Sequence, residues 1–400
     1  MVTLHARGGM QYDLDIRAEW LLSRGHEVEV ITTGHASLPP SHARAGVQYH
    51  FLENTRPTRP TMVWRRASIR KFLHLHQVRP FDLVISMGGG GWQYVQLRAR
   101  RPELPPAVLM AQMPIWQLLD HLLRRPTPIN LAKALRHAYN WLRWHRPYGR
   151  QFAAVVVLSD FTKAFALAEG CYQPSRIHVV ANGINTDEFC PGSATAALRR
   201  RLQLNPDDKV ALWVGRFLRY KGWLEALEAS AEVAARIPDY RLVLIAGGVG
   251  PQRARFWRAV ERLGLERHVR LAEDVDRRDL PDYYRLGDCL VAPFHGPEAQ
   301  PWVLLESMAC GVPVVASDLP ELRAFVRDQL DGRVVPLRPR RAFAEAIATL
   351  LSQSGAEQQA LAARVRQRAV DCFDAGRSAR ETIQLLEAVA GYPVLNVEAG

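Results

Sequence analysis

Residues 298–316 read EAQPWVLLESMACGVPVVA. Pro301 suits a first helical position, because its fixed φ matches the helix and the first turn leaves its N–H position unbonded in any case. The apolar residues after it carry the helix past Glu306, and Val312 to Ala316 is a short, β-branched run of buried-strand character. Cys289 to Ala292 reads as the strand before. Strand, loop, helix and strand form the unit of a parallel sheet covered by helices, so the fold class is α/β. In such sheets ligands bind beyond the carboxyl ends of the strands. There the helix would present the N–H groups of Trp302, Val303 and Leu304 beside one carboxylate in the loop, Glu298, and a second on the helix, Glu306. Paired glutamates can do acid–base work or accept hydrogen bonds from sugar hydroxyls. The plainer reading is an amphipathic helix with incidental acids, but Glu306 lies in an apolar run and needs a partner there.

The same alternation extends outward. Lys209 to Val214, Arg241 to Ala246 and Val269 to Leu271 complete one set of strands. Val28 to Thr32, Leu83 to Ser86, Ala107 to Ala111 and Ala154 to Leu158 make another. Each set suits one Rossmann-like unit, and 400 residues suit two domains. Between the sets the chain is rich in Asn, Gly, Pro, Ser and Asp. The boundaries read as a domain at 1–185, a linker at 186–207, a second domain at 208–377 and a closing helix at 378–400 that can cross back to the first.

Other candidate ligand groups also follow strands. Gly215-Arg216 and, across a short loop, Lys221-Gly222 put two cations at a strand's carboxyl edge, where a guanidinium fork and an ammonium can grip a diphosphate. Lysine is scarce, 5 against 47 arginines, so Lys221 departs from the chain's own habit. Two exposed cations would be the simpler account. Gly8 and Gly9 precede a helix through Leu14, Ala18, Leu21 and Leu22, where a ligand can approach the backbone closely or a plain tight turn can form. Gly247, Gly248 and Gly250 offer a further glycine cluster. Asp13-Leu14-Asp15 and Asp274-Val275-Asp276 have a metal-holding spacing, but their places in and before helices read as caps or solvated acids.

Net charge is +12, and the excess lies in the first half: residues 1–185 hold 23 Lys and Arg against 11 Asp and Glu, residues 186–400 hold 29 of each. No acid occurs from His121 to Ser159, where Arg124, Arg125, Lys133, Arg136, Arg143, Arg146 and Arg150 alternate with Tyr139, Trp141, Trp144 and Tyr148. This segment, 121–159, is either a solvated basic helix face or a surface for anions, of which an anionic membrane suits Trp and Arg on one helix better than nucleic acid does. Leu131, Leu135, Ala138 and Leu142 recur at helical spacing and are expected to pack inward. The five cysteines, Cys171, Cys190, Cys289, Cys310 and Cys372, form no CxxC pair and read as reduced, packed thiols. With no spanning apolar run and no leader-like start, the expectation is a cytoplasmic protein, free or peripheral on the cytosolic membrane face.

In order, GGMQYDLDIRAEWLLSRGHEVEVIT, LSDFTKAF, VVANGINTDEFCPG, LWVGRFLRYKGW, VLIAGGVGP and EAQPWVLLESMACGVPVVAS resemble family 4 of the GT-B glycosyltransferases over about residues 8–390. The resemblance implies two Rossmann-like domains facing across a cleft, with the acceptor on the first and a nucleotide-sugar donor on the second. It implies that Arg216 and Lys221 neutralise the diphosphate, that Glu298 contacts the donor sugar, and that these three carry the catalysis. Glu306 would hold the ribose hydroxyls, and Gly8 and Gly9 would close over the phosphates. It further implies transfer from a UDP- or GDP-sugar with retention of configuration, to a lipid-linked or acidic glycan, with no cofactor and no metal. Other GT-B activities, such as nucleotide-sugar epimerisation, and non-catalytic nucleotide-sugar binding are the alternatives. Three features depart from the family pattern. Gln112 stands where a histidine is common, Ala-Gln-Pro follows Glu298 where Gly-Phe-Gly is usual, and only seven residues precede Gly8, so that either the chain start is truncated or Met1 to Ala6 forms a short first strand.

Overall fold

The computed structural model describes residues 9–35, 38–55, 62–124, 126–296, 298–338 and 340–392. Gly8, Arg125 and the short strand expected at Met1 to Ala6 lie outside them. The chain forms two compact units, one of residues 1–182 with 376–400 and one of residues 183–375. The helix Ala196–Arg201, capped by the Thr195 hydroxyl, falls within the stretch read as a linker.

In the first unit the described residues form two sheets. β1 (Glu29–Thr33) pairs in parallel with β3 (Val47–Leu52), and β2 (Ser41–Arg44) pairs antiparallel with β3. β4 (Val84–Met87), β5 (Ala107–Met110), β6 (Ala154–Val157) and β7 (Ile177–Val179) follow in order, all parallel. A cavity of about 500 Å³ has Val28 to Ile31 and Leu83 to Met87 among its lining residues. Strands β5 and β6 are buried along their whole length, which is why they read as continuous apolar runs. The helix Asp160–Ala168 after β6 starts with a capping box in which Ser159 and Thr162 each accept a hydrogen bond from the other's N–H, the device expected of a Ser-x-x-Thr entry. Leu386, on the helix Ala375–Ala390, packs into the cluster of Met87, Val108, Met110 and Val156.

The second unit is one parallel sheet in the order β10-β9-β8-β11-β12-β13. Its strands are β8 (Lys209–Arg216), β9 (Tyr240–Gly247), β10 (Val269–Glu273), β11 (Cys289–Ala292), β12 (Val314–Ser317) and β13 (Gly332–Val335). Trp213, Phe217, Trp223 and Phe256 are fully buried, with Phe217 stacked on Trp223 at 4.6 Å and edge-on to Phe256 at 5.5 Å. Burying one such ring is worth about 2–3 kcal/mol. Phe217 is thus an anchor directly after β8, at the start of the loop that carries Lys221.

Four strands escaped the pattern. β2 and β3 form a hairpin turning through Ala45 and Gly46, both at positive φ, and β7 and β13 are too short to show a period. One expectation about packing is overturned. Leu131, Leu135 and Leu142 are exposed and Ala138 is only half-buried, whereas Ala134 and Trp144 supply the inward contacts of that segment. The helical period was right and its inward face was wrongly chosen, because a face of leucines need not be the one the core takes. Among the described residues no helix is long and apolar enough to cross a membrane.

Candidate donor site

Arg216 ends β8 with an exposed side chain. Beyond it the loop is held at both ends. The Phe217 N–H donates to the Gly247 carbonyl at 2.9 Å, and the indole N–H of Trp213 donates to the Lys221 carbonyl at 3.0 Å. Gly222 then takes φ +75°, and a Cβ there would run into the Pro293 carbonyl oxygen. Only glycine fits this turn. The result places the Lys221 ammonium 2.7 Å from Glu298 Oε1 and 4.7 Å from the centre of the Phe294 ring.

The segment that carries Glu298 is tied to the same loop. The His295 N–H donates to the Tyr220 carbonyl at 2.8 Å, and the His295 ring lies 2.8 Å from Glu225, which also accepts from Arg219 at 2.7 Å. Burial would raise the Glu225 pKa, but the hydrogen bonds from His295 and Arg219 outweigh it and hold the carboxyl down at about 2.

The helix expected after Glu298 runs from Trp302 to Ala309, with Pro301 as its cap. Trp302 and Val303 are half-buried, and Leu304 is fully buried with its N–H donating to the Pro301 carbonyl at 3.1 Å. Glu306 is buried and has the partners its setting requires. Arg277 donates to Oε1 at 2.6 Å and the Tyr284 hydroxyl to Oε2 at 2.7 Å. The Arg277 guanidinium also lies 5.0 Å over the Phe189 ring. Burial, then the Glu306 charge, push the Tyr284 hydroxyl well above the ordinary tyrosine pKa, so it remains a donor. Each Glu306 oxygen keeps a second lone pair for another donor.

No sequence pattern marks Arg277, Tyr284, Glu225 or His295. Tyr284 and Glu306 are 22 positions apart with strand β11 between them, and no spacing rule relates such a pair. The second aspartate pair has local roles. Asp274 accepts from the Gly248 N–H at 3.1 Å, and Asp276 caps the turn Arg277–Asp279.

In the first unit Gly9 opens the helix Gly9–Ser23. Asp13 is not the cap or solvated acid that its place in a helix suggested: it is buried, with Arg17 at 2.8 Å. Gln112, just past β5, donates to the other Asp13 oxygen at 3.2 Å. The buried Arg17 also donates to Thr382 at 2.8 Å.

The chain is similar to known proteins along nearly its whole length. A model described as Glycosyltransferase Family 4 matches residues 7–188, and one described as Glycosyl transferases group 1 matches residues 195–369. D-inositol 3-phosphate glycosyltransferase 2 of Catenulispora acidiphila is 36% identical over 185 residues, 44% of this chain and 43% of that protein. The chain spans about half the length of the curated relatives it matches. Among solved structures, sucrose-phosphate synthase from Thermosynechococcus elongatus aligns with a TM-score of 0.80 at 23% identity, over 96% of this chain and 94% of that one. Anabaena HepE in complex with UDP and glucose aligns at 0.69 and 18% identity, over 97% and 98%. With its two halves matched in this order, the chain belongs to the family 4 glycosyltransferases, on the GT-B fold.

Proposed function

We propose that the protein transfers a sugar, with retention of configuration, from a UDP- or GDP-sugar to a lipid-linked or acidic glycan. The observation that carries this reading is the junction of Lys221 with Glu298, one residue suited to a diphosphate and the other to a sugar, 2.7 Å apart. Glycosyl transfer passes through an oxocarbenium-like state while the diphosphate departs with growing negative charge. Lys221 and Arg216 would act where that charge develops. Glu298 would accept hydrogen bonds from the donor sugar, and Glu306, held by Arg277 and Tyr284, would accept from the ribose hydroxyls. No cofactor or metal enters this reading, since the two cations supply the charge. UDP is the first nucleotide to test, because it is the one named in the HepE complex.

A specific observation favours an acceptor at a membrane. On the helix Pro128–Asn140 and the turn after it, Ile129, Leu131, Leu135, Tyr139 and Leu142 are exposed, Leu135 by 73%, beside exposed Lys133, Arg136 and Arg143. Apolar side chains facing solvent among cations, without acids, suit the headgroup region of an anionic bilayer. The test of activity is product analysis. The chain is incubated with labelled UDP- or GDP-sugars and an acceptor extract, and the anomeric configuration of any product is read by NMR. Inverted product would refute retention, and conversion of the donor sugar without an acceptor would indicate an epimerase instead.

A further inference from the structure

A second cluster of chemically capable side chains lies in the first unit and is unused by the reading above. His145 closes the segment Trp141–His145, which is wound as a π-helix, a rare form often found at functional positions. Glu169 and Cys171 follow the helix Asp160–Ala168. One ligand atom from each of the three lies within 4.8 Å of the others. His145 Nδ1 is 3.6 Å from Glu169 Oε2, and Cys171 Sγ is 3.5 Å from the same oxygen. The Glu169 side chain has no exposure at all and Cys171 is buried.

We propose that His145, Glu169 and Cys171 bind a zinc ion. The separations of 3.6 and 3.5 Å from the shared Glu169 oxygen are those of neighbouring ligands around a zinc ion, whose bonds to nitrogen, oxygen and sulfur are about 2.0–2.3 Å. The donor chemistry agrees: one thiolate, one imidazole and one carboxylate favour zinc over magnesium or calcium, which take oxygen alone. The surroundings hold the ligands in place. The Trp116 N–H donates to the other Glu169 oxygen at 3.2 Å, and the Trp92 ring stacks on His145 at 4.0 Å. Such outer contacts orient metal ligands. The His145 side chain is 15% exposed, and a water would serve as the fourth ligand of a tetrahedral zinc. The ion would tie the basic segment 121–159 to the chain after Ala168, far along the sequence from the donor residues. Glu169 and Cys171 are separated by one residue and His145 stands 24 positions earlier, a spacing that matches no common zinc pattern.

The full chain, carrying no histidine tag, is stripped with a chelator, dialysed and titrated with zinc or cobalt. The expected result is one zinc per chain by elemental analysis, a cobalt spectrum with a thiolate charge-transfer band, and a melting temperature that falls with chelator. Cys171→Ser and His145→Ala should each weaken zinc binding at least tenfold, whereas Cys289→Ser, at a buried thiol elsewhere, should retain it. Zinc content in the wild type no higher than in Cys171→Ser would overturn the proposal and leave the trio as a buried ion pair with a thiol donor. Should Cys171→Ser fail to fold, the wild-type cobalt spectrum decides alone: no thiolate band means no site.

Discussion

The Lys221 ammonium and the Glu298 carboxylate form an ion pair at 2.7 Å, with side chains only 14% and 13% exposed. Such a pair costs solvation that its own attraction only partly returns, so removing one partner is more damaging than the pair is stabilising. The donor reading gives the arrangement a use, because the lysine can orient the glutamate and also meet a phosphate. Lys221→Ala should weaken nucleoside diphosphate binding about 10- to 100-fold, roughly 1.4–2.7 kcal/mol. Glu298→Gln should leave that affinity within a few-fold and lower kcat. Calorimetry together with steady-state kinetics separates the two; equal effects of both variants on nucleotide affinity would contradict the division of roles.

Gly222→Ala tests the turn beneath the lysine. Its left-handed backbone and the Pro293 carbonyl leave no room for a methyl group, so the variant should lose about 2–4 kcal/mol of stability or shift the loop. Denaturant unfolding measures the first and nucleotide affinity the second. A fully stable variant with unchanged nucleotide binding would mean that the loop is not held as described.

The α/β class and nearly all the strands around the candidate donor residues are legible because buried parallel strands are written as unbroken apolar runs. Lys221, Glu298 and Glu306 stand out as candidates in the sequence because each is a polar residue placed just after a strand or inside an apolar stretch. What holds them does not. Glu306 meets Tyr284 and Arg277, and Glu225 meets His295, through the packing of successive βα units, and no local period records such pairings. Which face of the helix Pro128–Asn140 is buried is not legible for a related reason. A helical stripe tells which residues share a face, but the neighbours decide whether that face is covered.

Acid should act through Glu225. Its folded pKa of about 2 lies below the ordinary value of 4.5, so its contribution is fully present above about pH 4.5 and is lost as pH falls through 2. Glu225→Gln should therefore be destabilised by about 2 kcal/mol at pH 6, and the difference from wild type should shrink at pH 3. Thermal melts at the two pH values check this. A difference independent of pH would show that the lost contact is steric.

The outward leucines should matter for vesicles and not for folding. Leu135→Ser with Leu142→Ser should melt within about 1 kcal/mol of wild type, since both side chains are already exposed. The same variant should sediment several-fold less with anionic liposomes. Wild-type chain that fails to sediment at low salt would refute the membrane reading.

The proposed site would hold a nucleotide between the Lys221 loop and Glu306, and thermal stabilisation by UDP, GDP and ADP reports on it. At a hundredfold excess over Kd, a ligand of the native state stabilises by about 2.7 kcal/mol. A clear rise is expected with one nucleotide, lost in Lys221→Ala and Glu306→Ala and reduced in Tyr284→Phe, all three remaining folded. A rise that survives intact in both alanine variants would place the nucleotide elsewhere on the chain.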